Sequence, residues 1–100
     1  MRHAKRTELQ KILQAYMAEE FKQYRQQHGL SQEGLARKLK ICSRTYVDLE
    51  HGGNCPSAAT LATYLTILPP EEQNRFLEGL RAAWEEKPYT RNRAFRLRPL

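Results

Sequence analysis

The chain has 100 residues, of which 40% are hydrophobic and 28% charged, a length and a balance that suit one globular domain. No apolar run approaches the roughly 20 residues of a membrane-spanning helix, and the basic start at residues 1–6 leads into an amphipathic helix rather than a signal-peptide core, so we expect a cytoplasmic protein. The net charge of +6 suits nucleic acid but also a membrane surface, and charge alone therefore assigns no function.

The positive charge gathers at the two ends of the chain. Residues 1–30 contain six basic and three acidic side chains, and residues 87–100 contain five basic side chains and no acidic one. Residues 69–86 are acidic instead, with two basic and five acidic side chains. We therefore expect a single domain over residues 1–86 and a basic C-terminal tail over 87–100. The tail shows no helical period and could form a short strand or remain disordered.

The first predicted element is a helix from Thr7 to His28. Apolar residues recur there at steps of three and four, which traces one stripe on a helix of about six turns. Gly29 is expected to end this helix, because glycine adopts the left-handed conformation without strain. The first half is expected to pack either on the C-terminal helix or on a second subunit. The residues of the stripe are Leu9, Ile12, Leu13, Tyr16, Met17, Phe21 and Tyr24.

Two short helices are predicted next, separated by a turn at residues 40–41. Ser31 is a good N-cap for the first, over residues 32–39, and the second extends over residues 43–51. Helices this short are marginal in water on their own, so both must pack through their few apolar positions, leaving the outer face of the second free for a partner. This is the helix-turn-helix arrangement, in which the second helix enters the major groove of DNA. The inward positions are Leu35, Ala36, Leu39, Tyr46 and Leu49.

Two further helices complete an all-α fold of five helices. Ser57 is expected to cap the fourth helix, and Pro69-Pro70 to begin the fifth, which ends near Lys87. Aromatic residues concentrate at the centres of protein interfaces, so Phe76 and Trp84 on the fifth helix are candidate anchors of a dimer. The inner side of the fourth helix carries Leu61, Tyr64, Leu65 and Leu68, and the stripe of the fifth carries Phe76, Leu77, Leu80, Ala83 and Trp84.

The segment from Phe21 to about Leu68 resembles the Cro/XRE-type helix-turn-helix regulators, which include the lambda-like repressors. The resemblance implies a lambda repressor-like fold with a core at residues 21–68 and an extended first helix. It also implies a sequence-specific transcriptional regulator of double-stranded DNA, acting as a homodimer on a palindromic operator. The matching residues are Arg25, Gly29 to Glu33, Leu35-Ala36, Leu39, Ile41, Leu49-Glu50, Gly52, Pro56-Ser57, Thr60-Leu61 and Leu65.

The resemblance assigns the base contacts to the third helix. In such regulators its outward positions contact base edges, and this chain has Ser43, Arg44, Val47 and Asp48 there. Arg44 can offer a bidentate fork to guanine, Asp48 can accept a hydrogen bond from cytosine, and Val47 can contact a thymine methyl group.

The resemblance also implies phosphate contacts and one structural pair. Gln32 matches the residue that opens the second helix and binds a phosphate, and a helix N-terminus suits an anion. Cys42 occupies a position often filled by a capping Ser or Thr that contacts phosphate, and His51 lies near another phosphate-contacting position. Arg25 and Glu50 match an arginine and a glutamate that the family pairs to lock the recognition helix onto the first helix.

The chain also departs from the family pattern. Lys40 stands where the family usually has a glycine, so a left-handed residue there would be strained. Within residues 40–51 the two basic side chains only balance the two acidic ones, although phosphate neutralisation dominates DNA affinity. The basic residues of segments 2–6 and 91–98 could make up the deficit. The near-neutral face favours an alternative, a protein-interaction module such as an antitoxin or anti-repressor subunit with weak DNA binding and a toxin or regulator as its partner.

Nothing in the sequence predicts an enzyme, a cofactor or a metal site. There is no glycine-rich phosphate loop and no histidine paired with a plausible nucleophile. Cys42, His51 and Cys55 lack the paired spacing of zinc ligands and a convincing fourth ligand. A disulfide between the two cysteines is the weaker interpretation for a cytoplasmic chain.

Overall fold

A computed structural model describes the backbone of residues 2–85 and the side chains of residues 8–85. Over this range the chain forms five α-helices and no strand, as the sequence predicts. The predicted tail at 87–100 and the end of the fifth helix near Lys87 lie outside the described residues, as do the side chains of the basic segment 2–6. The helices are α1 (Arg2–Gln27), α2 (Gln32–Leu39), α3 (Ser43–Glu50), α4 (Ala58–Ile67) and α5 (Pro70–Glu85).

Helix α1 begins five residues earlier than the apolar period predicts, at Arg2 rather than Thr7. Arg, Ala and Lys are good helix formers, and residues 2–6 contain no glycine or proline that would stop the helix. Its end agrees with the prediction, because Gly29 adopts the left-handed conformation with φ +62°.

A capped turn joins α2 to α3. The Ser31 hydroxyl accepts a hydrogen bond from the Gly34 N–H at 2.9 Å and so satisfies one of the free amides that open α2. At the other end Lys40 is left-handed, with φ +62°, and the Ile41 N–H donates to the Ala36 carbonyl at 3.0 Å. This closing pattern usually has a glycine at the left-handed position.

Aromatic side chains from four helices meet at the centre of the core. The Phe21 ring of α1 contacts Tyr46 of α3 and Tyr64 of α4, with ring centroids 5.8 and 5.1 Å apart. The Tyr64 ring contacts Phe76 of α5 at 5.7 Å. Tyr46 and Leu49 are 0% and 3% exposed, so the prediction that α3 packs through them is confirmed.

Helix α5 packs on α1 around Leu13 and Tyr16, which lie in the first half of the helix predicted from Thr7 to His28, and this agrees with one of the two alternatives for that half. The Tyr16 hydroxyl donates to the Phe76 carbonyl at 2.8 Å, and a Cβ at position 79 would collide with the same hydroxyl. Gly79 therefore leaves room for the Tyr16 hydroxyl against α5.

Phe76 is only 2% exposed, whereas Leu77 and Trp84 are 49% and 39% exposed. The prediction that Phe76 is a dimer anchor is therefore wrong. Consecutive positions of a helix point about 100° apart, so the neighbouring residues Phe76 and Leu77 of the apolar stripe face different directions. Phe76 faces the core formed by α1 and α4, and Leu77 and Trp84 face outward.

Lys40→Gly should stabilise the fold. Glycine removes the cost of a left-handed side-chain-bearing residue, ~1 kcal/mol, although part of the gain is lost to the greater freedom of the unfolded chain. Urea unfolding should show a higher midpoint with an unchanged slope. Lys40→Ala is the matched control: it removes the same charge, keeps the strain and should not gain stability. An equal gain in both variants would contradict the strain.

Candidate functional site

A bidentate ion pair holds the end of α3 against α1. Arg25 Nε donates to Glu50 Oε1 at 2.9 Å, and Nη2 donates to Oε2 at 2.7 Å. The third nitrogen, Nη1, donates to the Leu30 carbonyl at 3.3 Å. The side chain of Glu50 is 5% exposed and that of Arg25 is 21% exposed. Two parallel hydrogen bonds in one plane fix the orientation of α3 as well as its position.

The neighbours of Glu50 keep it ionised. Burial opposes its charge, but the hydrogen bonds and charge of Arg25, with further contributions from the nearby Tyr46 and Gln32 side chains, outweigh burial and hold the pKa of the carboxyl below its usual value. Burial, reinforced by the Glu50 carboxylate, raises the pKa of the Tyr46 hydroxyl. The carboxylate thus gathers side chains from α1, α2 and α3 at one point.

The four predicted base-reading residues lie on the opposite side of α3 from the core. Ser43, Arg44 and Asp48 are exposed and Val47 is half-buried. Their helical spacing of one, three and one residues places them along one outward face. Neither Arg44 nor Asp48 forms an ion pair with any side chain among residues 8–85. We call these four residues the α3 face.

The three predicted phosphate-contacting residues lie around the ends of that face. Gln32 opens α2, Cys42 is the N-cap of α3, and His51 is its C-cap. The side chain of Gln32 is half-buried and close enough to Glu50 to affect the pKa of that carboxyl. An amide group has two N–H donors, so one can face Glu50 while the other remains for an anion.

Cys42 occupies the capping position but its thiol makes no capping bond to the backbone. Its Sγ lies 3.2 Å from Thr45 Oγ1 instead, and this contact lowers the pKa of the exposed thiol. Cys42 therefore occupies the N-cap position expected from the sequence, but it does not cap the helix as Ser or Thr would, because sulfur is a weak acceptor. Cys42 and Cys55 are both free thiols.

Sequence reasoning missed a group of polar side chains where α1 passes the end of α3. Lys11, Gln14 and Lys22 of α1 line a groove with His51 and Gly52. Gln14 Nε2 donates to the Gly52 carbonyl at 3.3 Å. The spacing of the two lysines, which lie three turns apart on one side of α1, could have indicated this feature. The sequence analysis considered only the apolar residues on the other side of the helix. We call this feature the α1–α3 groove.

The described residues were also searched for a metal site and for a membrane-spanning helix. Among residues 8–85 no group of three His, Cys, Asp or Glu side chains is arranged to hold a metal ion. Along residues 2–85 no helix combines the length and apolar character that crossing a membrane requires.

Among known proteins, one family resembles the middle of this chain. Residues 21–69 match a family model described as helix-turn-helix. The match begins in the second half of α1, ends just after α4, and so includes the ion pair and the whole α3 face. No curated protein and no solved structure matches the chain significantly.

Glu50→Gln should destabilise the protein by about 2 kcal/mol at pH 7, because it removes a buried carboxylate and leaves the half-buried Arg25 guanidinium without its partner. The folded-state pKa of Glu50 lies below its ordinary value of 4.5. The difference in stability from the wild type is therefore complete above pH 4.5 and disappears as the pH falls through the folded-state pKa. Urea unfolding at a series of pH values measures it.

The exposed Glu33→Gln is the matched control for this prediction and should change stability little at any pH. A Glu50→Gln penalty that stays constant down to pH 2.5 would contradict the role given to the ionised carboxylate.

Proposed function

Because residues 21–69 belong to the Cro/XRE-type helix-turn-helix family of DNA-binding regulators, we propose that this protein is a sequence-specific transcriptional regulator acting in the cytoplasm. The observation that carries the proposal is the α3 face: it is exposed, and the core and the Arg25–Glu50 pair brace the helix behind it. A rigid helix with free polar side chains on one side is what reading a DNA groove requires.

The dimensions of α3 suit the major groove. Eight residues make a helix about 12 Å long, and the major groove of B-DNA is about 12 Å wide. Arg44 would bind the O6 and N7 atoms of a guanine, and Asp48 would accept from the amino group of a cytosine. Ser43 and Val47 would contact neighbouring bases, Val47 through a thymine methyl group.

A helix that spans the groove brings its ends to the two phosphate strands. Cys42 lies at the beginning of α3 and His51 at its end, and Gln32, which opens α2, lies near Glu50. We assign all three to phosphate contacts, which set the register of the protein without reading sequence. The free amides at the first turn of α2 favour an anion beside Gln32.

We also propose a homodimer that binds a palindromic operator. An apolar surface, the Trp84 patch, lies on the side where α5 meets α1 and α4. Arg81 and Glu85 line its rim, one charge of each sign, so a second copy related by a two-fold axis can place each against the other. Two copies would read half-sites about 34–36 Å apart. The residues of the patch are Leu13, Leu61, Leu77, Leu80 and Trp84.

One observation favours a second candidate function. The α3 face carries a single cation, Arg44, and a single anion, Asp48, so its net charge contributes little to phosphate attraction. A protein-interaction module, such as an antitoxin or anti-repressor subunit whose partner is a toxin or regulator, would have such a face. In that function DNA binding is weak or depends on the partner.

Selection of duplexes from a random library, followed by fluorescence titration of the enriched sequence, distinguishes the two functions. A regulator should enrich a palindrome and bind it with an affinity that falls steeply with salt. No enrichment at low salt, or enrichment only after the partner protein is added, would contradict the first function and support the second.

Arg44→Ala should weaken binding to the selected operator by about 1–3 kcal/mol and relax the preference at one base pair. Affinity measurements on the operator and on its single-base variants test both parts. Arg37→Ala, an exposed arginine on α2 outside the α3 face, is the control. A uniform loss on all sequences would instead make Arg44 a phosphate contact.

Trp84→Glu should convert the dimer into a monomer while the helical content stays unchanged, because a charge replaces the largest side chain of the Trp84 patch. Sedimentation velocity and circular dichroism measure the two quantities. Arg81→Glu should weaken the dimer, and adding Glu85→Arg should restore it by exchanging the charges. A Trp84→Glu protein that remains a dimer would show that the patch is not the interface.

A further inference from the structure

We propose that Lys11 and Lys22, on the two sides of the α1–α3 groove, bind the DNA backbone beside the strand that His51 contacts. This inference rests on the proposed function, and it adds α1 to the DNA-binding surface. The family match begins at residue 21, so Lys11 lies in the part of α1 that the match does not cover.

The two lysines follow one line along α1. Positions 11, 15, 18, 22 and 25 recur at steps of three and four, which places them on one side of the helix. Arg25, the last of them, binds Glu50 at the end of α3. The side of α1 that positions α3 therefore also carries Lys22, about one turn before Arg25, and Lys11, about four turns before it.

Small side chains let the end of α3 lie against this line. Gly52 lies beside Ala18, where a Cβ at position 52 would be in ordinary van der Waals contact with the Ala18 Cβ at 3.9 Å, and the Gly52 carbonyl accepts from Gln14. Gly52 has φ +77° and ends the helix by turning the chain back toward α1. His51 is consequently held at the groove, exposed, in line with the two lysines.

The α1–α3 groove has an excess of positive charge, which favours the binding of an anion. Among residues 8–85 neither Lys11 nor Lys22 lies within salt-bridge distance of a carboxylate. Of the two carboxylates that line the groove, Glu50 is occupied by Arg25, which leaves Glu19 against two lysines. An excess of cationic side chains with free N–H donors is the surface that phosphates bind.

DNA phosphate is the anion that the position of the groove favours. His51 belongs to both surfaces: it ends α3, at the margin of the major groove, and it lines the α1–α3 groove. A phosphate strand at that margin would pass along α1. These lysines would also supply the phosphate neutralisation that the balanced α3 face lacks.

The test needs no operator, because phosphate contacts do not depend on sequence. We would measure the affinity of the full chain for a labelled mixed-sequence duplex by fluorescence anisotropy at a series of salt concentrations. Each lysine that neutralises one phosphate should contribute about 0.9 to the slope of log K against log salt. The double variant Lys11→Gln, Lys22→Gln should therefore have a slope smaller by about 1.8.

Two comparison proteins make the result specific. Lys11→Arg with Lys22→Arg keeps both charges and should keep the wild-type slope, which also shows that the positions tolerate substitution. Arg75→Gln removes one exposed cation of α5, away from the groove, and should leave the slope unchanged. Circular dichroism of each variant should match that of the wild type.

The outcomes separate this inference from the function on which it rests. A wild type that binds with a steep slope, together with a double glutamine variant of equal slope, would overturn the role of the groove and leave the proposed function standing. An equal fall in the Arg75→Gln slope would overturn it too, since the effect would then be one of net charge. A wild type that binds no duplex at low salt would overturn both.

Discussion

The Arg25–Glu50 pair is the interaction on which the orientation of α3 depends. It joins α1 to α3 through two parallel hydrogen bonds, and Tyr46 and Gln32 contribute to the ionised state of the same carboxylate. A buried ion pair gains little net stability, because removing two charges from water offsets most of their attraction. Its contribution here is geometric. Apolar packing through Tyr46 and Leu49 holds α3 to the core, and the ion pair specifies which way its free side faces.

On the proposed function, different groups read the DNA sequence and attract the DNA backbone. On the proposed function, Ser43, Arg44, Val47 and Asp48 select bases, but their charges cancel. Attraction must then come from groups around the α3 face, and the α1–α3 groove lies where such groups are needed. A regulator built this way would discriminate through a few directional hydrogen bonds while its affinity follows the salt concentration.

Local signals explain why much of this fold could be predicted from the sequence. Gly29 and Ser31 mark a helix end and a helix start through the chemistry of single residues, and Leu35, Leu39, Tyr46 and Leu49 show the inward faces of α2 and α3. Features that depend on how helices meet could not be predicted. Phe76 and Trp84 lie on one apolar stripe, and only the packing of α5 on α1 and α4 decides that Phe76 is buried. The α1–α3 groove likewise exists only because residues 11, 22 and 51 meet in space.

The central claim is that the exposed face of α3 is the surface that meets DNA. The most direct measurement is a two-dimensional ¹H–¹⁵N NMR titration of the labelled protein with the selected operator duplex. The amide signals of residues 43–51 and those around Gln32 should shift or broaden most, while the signals of residues 71–75 in α5, which lie outside the Trp84 patch, should change little. Perturbations confined to α5, with the α3 signals unmoved at saturation, would contradict the account.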